Sequence, residues 1–192
     1  MREFANLGGK GVAAPSANRF GHVSPTTAEA VQDEIGEFLL EGDLILDGGS
    51  ALVGIESTII DCTSESPRIL RLGAITKEMI EESTGLSLSQ ELNENIRVSG
   101  SLENHYSPKA TVVLDVLAES GEGFIAPASI VTPQGAIRLA APSSTDEYAR
   151  LLYAALRLAD EKGLEKIAVI QPTGDGLAEA IRDRLLRASR GR

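Results

Sequence analysis

The sequence predicts an α/β protein in two unequal parts. The first is a twisted mixed sheet with helices, incomplete as a sheet; the second is a small Rossmann-like parallel α/β domain, reached through a linker. Three observations predict it. Short β-branched or apolar runs alternate with helical stripes along most of the chain. Residues 86–102 lose periodicity and are rich in Ser, Asn and Gly, the composition of a linker. Beyond it the order becomes strand–helix–strand–helix, which implies right-handed crossovers and parallel strands. The expected boundaries are 1–85, 86–109 and 110–192.

Taken in order, Met1 to Leu7 reads as the last turns of a helix closed by Gly8-Gly9. Val12-Ala13-Ala14 reads as a strand entering a Pro15-Ser16-Ala17-Asn18 turn, and no earlier strand stands ready to pair with it. A helix opens at Ser24-Pro25-Thr26-Thr27. Pro25 suits a first helical position, Thr26 with Glu29 has capping-box spacing, and Val31, Ile35, Phe38 and Leu39 share a face before Gly42. Leu44-Ile45-Leu46 reads as a buried strand. Thr58-Ile59-Ile60 and Arg68-Ile69-Leu70-Arg71 read as an antiparallel ribbon, and residues 76–85 as a short helix.

After Pro108, strands are expected at 111–114, 129–131 and 167–170. Tyr148, Leu152, Ala155, Leu156 and Ala159 stripe one helix, and Leu177, Ile181 and Leu185 stripe the last. No Gly-x-Gly-x-x-Gly follows a strand, so no dinucleotide site is expected.

Composition narrows the function classes. With 42% hydrophobic residues the chain can bury a core. Its net charge of −10 disfavours a protein that coats nucleic acid, because phosphate contacts need clustered Lys and Arg. Arg182-Asp183-Arg184-Leu185-Leu186-Arg187 interleaves acids with bases and reads as a solvated helix face. No apolar run is long enough to span a bilayer and residues 1–6 lack an apolar leader core, so the cytoplasm is the expected compartment. Cys62 is expected as a single buried thiol with no internal disulfide. Two His and one Cys offer no metal-ligand spacing.

The chemistry concentrates between residues 12 and 27. Small residues and hydroxyls there precede a helix start, where backbone N–H groups lack partners and the dipole favours anions. Phosphate binding is one reading; a Ser/Asn turn with an ordinary cap is the other. Gly54 would let a ligand approach the backbone beside Ser57. Arg71 can partner a phosphate or stand as a surface arginine. His105-Tyr106 before Pro108 is either a solvent-side pair or a flap over a neighbouring site. A serine hydrolase built on Ser57 fails, because Gly54-Ile55-Glu56-Ser57-Thr58 lacks the glycine that a nucleophile elbow needs after the serine.

Five motifs in register carry a resemblance. Ala13-Ala14-Pro15-Ser16-Ala17-Asn18-Arg19, Val23-Ser24-Pro25-Thr26-Thr27-Ala28, Asp47-Gly48-Gly49, Gly54-Ile55-Glu56-Ser57-Thr58-Ile59 and Leu70-Arg71-Leu72-Gly73-Ala74-Ile75 resemble the second half of a YrdC-type threonylcarbamoyl-AMP synthase. His105-Tyr106-Ser107-Pro108-Lys109 resembles the linker of the long two-domain form, and the tail resembles its C-terminal domain. The resemblance implies an incomplete YrdC-like catalytic domain over 1–85. It also implies an enzyme that joins L-threonine, bicarbonate and ATP into threonylcarbamoyl-adenylate with release of pyrophosphate. Partner proteins of tRNA modification then take the threonylcarbamoyl group.

Carried over by position, Ser16, Asn18, Ser24, Arg71 and Tyr106 would meet ATP, with Mg²⁺ on its phosphates, and Ala14 and Ser57 would hold threonine. No protein nucleophile is required. Three departures stand out. The family's Lys-x-Arg element is absent, Leu72 replaces the usual proline, and Val98-Ser99-Gly100 replaces Ser-Pro-Gly. The first implies that residues 1–192 do not complete the reaction unaided, and that the first part leaves a sheet edge and an apolar face exposed. Three readings follow: a piece of a complete synthase, which a start inside a helix favours; a split enzyme whose N-terminal half is supplied in trans; or a non-catalytic fragment that binds a nucleotide or a partner protein. Any tRNA contact is expected outside this acidic chain.

Overall fold

The computed structural model describes residues 2–89 and 106–191. Its first part holds a short helix α1 (Arg2–Asn6), helix α2 (Ala28–Ile35), a two-stranded antiparallel sheet of β1 (Ile59–Asp61) and β2 (Arg68–Arg71), and helix α3 (Lys77–Thr84). The second part is a four-stranded parallel sheet. It contains β3 (Thr111–Leu114), β4 (Gly123–Ile125), β5 (Ile137–Ala140), α4 (Thr145–Glu161), β6 (Lys166–Val169) and α5 (Leu177–Ser189), with strand order β3-β6-β4-β5. This is the expected mixed α/β class.

The β1–β2 pairing brings Asp61 opposite Arg68. Arg68 donates from Nε and Nη2 to Asp61 Oδ2 at 2.9 and 2.7 Å, and Oδ1 takes the Thr63 hydroxyl at 2.6 Å and its N–H at 2.9 Å. The bonds from Thr63, reinforced by Arg68, pull the Asp61 carboxyl down to about 2. Charge and turn chemistry thus fasten a ribbon too short to be stable alone.

One face of the parallel sheet carries the core. Val112, Ile125, Ile167 and Val169 meet Leu152, Leu156, Ile181 and Leu185 of the two long helices. On the opposite face Phe124, Ala126 and Ala168 pack against Ala118 and Ile130. Here Arg138 lies 5.0 Å from the Phe124 ring centre and donates to the carbonyls of Ala126, Pro127, Ile130 and Ala140. A guanidinium does there what a second layer of helices does in a doubly wound sheet.

Several expectations are corrected. Residues 12–14 and 44–46 lie outside any strand; no described segment pairs with them, and a strand without a partner leaves its backbone groups to water. Residues 129–131 lie in the loop between β4 and β5, where Ile130 N–H closes a turn onto Pro127 O at 2.9 Å. The cap of α2 is Thr27, whose hydroxyl accepts from Ala30 N–H, so Ser24, Pro25 and Thr26 precede the helix. That helix ends at Ile35 and tightens into a 3-10 turn, Gly36–Phe38, which turns Phe38 outward. Cys62 is exposed, because it falls just beyond the end of β1. The expectations for His105 and residues 98–100 fall outside the described residues.

Candidate functional site

Two backbone segments build the site: residues 54–58, leading into β1, and residues 71–73, leaving β2. They touch main chain to main chain. A Cβ on Gly73 would stand 2.3 Å from Thr58 N and 2.6 Å from Glu56 O, so only glycine fits. The Thr58 hydroxyl donates to Ile75 O. Across this seam Arg71 donates from Nε to Ser57 O at 3.0 Å and from Nη2 to Ser57 Oγ at 3.3 Å. Arg71 and Ser57, both carried over from the motifs of the resemblance, are brought into contact. Both reach solvent to some degree, with Ser57 exposed and Arg71 partly buried.

Behind Ser57, Glu56 turns inward. Its Oε1 accepts from Ser24 Oγ at 2.8 Å; its Oε2 accepts from Tyr153 Oη at 2.8 Å and Arg184 Nε at 3.1 Å. Arg184 also donates from Nη2 to Leu72 O at 2.6 Å and from Nη1 to Asp183 Oδ2 at 2.7 Å. The Tyr106 ring stacks on Tyr153 at 5.5 Å and lies under the Arg184 guanidinium, also at 5.5 Å. Burial, then the nearby Glu56 carboxylate, push both phenols upward, so they stay neutral. Burial alone would weaken the charge on Arg184; the Glu56 and Asp183 carboxylates outweigh it and hold the guanidinium more firmly protonated than usual.

A groove of about 450 Å³ opens beside this cluster, walled by Ser16, Ser24, Thr26, Leu52, Gly54 and Tyr153, among others. A second hollow of about 400 Å³ runs between β2 and α5, with Arg71, Leu72, Arg182 and Arg187 on its walls. Ser16 is exposed on the first groove. Ser24 shares that groove, but its proton is committed to Glu56, which leaves its oxygen as an acceptor. Asn18 donates to Arg19 O at 2.9 Å and His22 O at 3.1 Å and so holds its own turn; among the described residues nothing reaches its buried Oδ1. Ala14 is exposed and lines neither hollow. Tyr106, at 1% exposure, is not a solvent-side residue: its ring is held by Tyr153 and Arg184.

Gly54 has a second neighbour. Its φ of +79° suits glycine, and a Cβ there would lie 2.5 Å from Ala149 O and 2.7 Å from Arg150 Cα. Helix α4 approaches this backbone on the Cβ side, and the residue also lines the first groove. A second charged joint lies nearby. Glu34 accepts from Arg157 Nη1 at 3.0 Å, Arg19 Nε at 3.3 Å and His22 Nδ1 at 2.8 Å. Burial would raise the Glu34 carboxyl, but the bonds from Arg157 and Arg19 outweigh it and hold the carboxyl low.

Sequence reasoning missed Glu56, Tyr153, Arg184, Glu34 and Arg157, and it read 182–187 as a solvated face. Arg184 is buried. The signal was present: Leu177, Ile181, Arg184, Leu185 and Ala188 share one helical stripe, and an arginine on an apolar stripe asks for a buried partner.

Fold and site define a two-part α/β protein in which the loops 54–58 and 71–73 are tied to a parallel-sheet domain. The family model described as "Threonylcarbamoyl-AMP synthase, C-terminal domain" matches residues 75–190, and the model described as "Telomere recombination" matches residues 1–73. The threonylcarbamoyl-AMP synthase of Bacillus subtilis is 32% identical over 94% of this chain and 58% of that protein. The one from Pyrococcus abyssi is 30% identical over 93% and 57%. The crystal structure of P. abyssi Sua5 complexed with L-threonine superposes with a TM-score of 0.78 at 28% identity, over 97% of this chain and 60% of that one. The chain belongs to the threonylcarbamoyl-AMP synthase family, and it spans a little under three fifths of the length of these two curated relatives.

Proposed function

We propose that residues 1–85 carry part of a site that condenses L-threonine, bicarbonate and ATP into threonylcarbamoyl-adenylate. In this reading a carbamate oxygen of N-carboxythreonine attacks the α-phosphate of ATP, the bond to the β-phosphate oxygen breaks, and pyrophosphate leaves. No covalent enzyme intermediate forms. The observation that carries the reading is the guanidinium of Arg71 held on Ser57 by two hydrogen bonds. It is a fixed cation beside an exposed hydroxyl, suited to charge that builds on a phosphate in flight. Ser57 and the backbone at Ala14 then address threonine; Ser16, Asn18 and Arg71 address the nucleotide, with Ser24 and Tyr106 shaping the wall behind them. Magnesium would enter with the ATP phosphates, whose charge it offsets. Further cationic residues for the triphosphate come from polypeptide outside residues 1–192, in the same protein or as a separate N-terminal half.

The product passes to partner proteins of tRNA modification in the cytoplasm, and this acidic chain makes little direct contact with nucleic acid. No helix among the described residues is long and apolar enough to cross a membrane.

The test is threonine-dependent pyrophosphate release from ATP and bicarbonate, with the chain alone and mixed with a family N-terminal half. Release in the mixture, abolished by Arg71→Met, supports the reading. Silence in both, with the chain folded, overturns it in favour of a non-catalytic binding role.

A further inference from the structure

We propose that Arg184, from the last helix of the C-terminal domain, is the positioning residue that sets the spacing of Ser57 and Arg71. The inference rests on the reading above for what those two residues do, but not for where they are held. Each lies one residue from an atom that Arg184 grips: Glu56 precedes Ser57, and Leu72 follows Arg71. One planar guanidinium therefore spans both segments, at 3.1 Å on the Glu56 carboxylate and 2.6 Å on the Leu72 carbonyl. Its fork is rigid, so the two contacts fix a distance as well as supplying charge.

The surroundings leave the fork little freedom. Asp183 takes the third arm at 2.7 Å, the Tyr106 ring lies beneath, and the side chain is 1% exposed. Glu56 is held from two further directions by Ser24 and Tyr153, so it cannot follow Arg184 if the arginine moves. Gly73 presses its backbone on Thr58 and Glu56, so a displacement of the 71–73 segment is transmitted to Ser57. The domain that bears no substrate-facing residue in this reading thereby becomes part of the site's frame. Misplacement of reacting groups by about 1 Å costs roughly a hundredfold in rate.

The test compares the 192-residue chain with Arg184→Met and Arg184→Lys, using Arg157→Met as a control that loosens the same domain contact without touching Glu56 or Leu72. Backbone order parameters from NMR relaxation are followed at residues 57–58 and 72–73, alongside far-ultraviolet circular dichroism. Arg184→Met is expected to lower them at both pairs from about 0.85 to below about 0.6, with the parallel sheet still rigid. Lysine is a single point charge, so Arg184→Lys is expected to keep 57–58 ordered through Glu56 while releasing 72–73. If Arg184→Met fails to fold, the Arg184→Lys pattern decides.

Unchanged order parameters at 57–58 and 72–73 in the variants would overturn the proposal. So would equal loosening by Arg157→Met, which would make Arg184 a general fastener. Calorimetric titration with L-threonine and MgATP separates the two readings. If the unsubstituted chain binds neither ligand, also when mixed with a family N-terminal half, the functional reading falls and the order parameters still judge Arg184. If it binds threonine, Arg184→Met is expected to weaken binding about tenfold and Arg157→Met to leave it within about twofold.

Discussion

In the parallel-sheet domain Phe124, Ile125, Leu152, Ile167 and Ile181 are sealed from water, whereas Leu7, Phe20, Leu44, Leu46 and Leu52 in the first part stand largely in it. Among the described residues the first part buries only Val23 and Ile69 of its apolar side chains, with Leu88 just beyond it. Its ordered acids do more: Glu34 is joined to Arg157, and Glu56 to Tyr153 and Arg184. One region is stabilised by its own apolar core; the other is held in shape by hydrogen-bonded charges that the first region presents. Position in the site is therefore set by the domain that is remote from it in sequence. The apolar exposure expected from the sequence is present, and the rigid frame lies on the other side.

The contrast can be broken most severely from inside the core. Leu152→Ala should destabilise the chain by about 3 kcal/mol or more in urea unfolding, by lost transfer energy plus the cavity left behind. Exchange protection in β1 and β2 should fall with it; a ribbon that stays protected while the parallel sheet melts would show that the first part stands alone. Gly54→Ala ranks next, at about 2–3 kcal/mol, because it forces a side chain into the left-handed region and against α4. Tyrosine near-ultraviolet dichroism should report it, since the chain has three Tyr and no Trp and two of the three stack across the joint.

Arg157→Met should cost about 1–2 kcal/mol, as Glu34 keeps Arg19 and His22 after losing its bond to α4.

Acid gives the mildest and most selective probe. Asp61 and Glu34 both have folded carboxyls below their unfolded values, so the unfolded chain binds more protons over that window. Their contribution is complete above about pH 5 and is lost as pH falls through the folded values, toward about 2 for Asp61. The ribbon and the Glu34 joint should loosen across that range before the apolar core does, and Asp61→Asn should flatten the ribbon's part of the profile. Resonances of residues 59–71 followed by NMR would check it.

Much of this was legible in the sequence, and the failures share a cause. Helical stripes such as Leu152, Leu156 and Ala159 placed α4, and the run Thr111–Leu114 placed β3 at its observed bounds. Strands β4 and β5 were missed because Gly123 and the loop around Pro133 mask short apolar runs that only the neighbouring β6 turns into a sheet. Ser57 and Arg71 were singled out by their place in the motifs that carry the family resemblance. Glu56, Tyr153 and Arg184 were not, because their meaning lies in contacts across more than 90 residues, which no local pattern encodes.

The separation of 128 residues between Glu56 and Arg184 has a consequence in time. During synthesis at roughly 5–20 residues per second, the loop bearing Glu56 waits on the order of ten seconds before the helix that grips it has been made. Through that interval its carboxylate has neither Tyr153 nor Arg184 to accept from. The order of translation therefore makes the last helix a late-arriving clamp on a loop already drawn into its turn by Ser24.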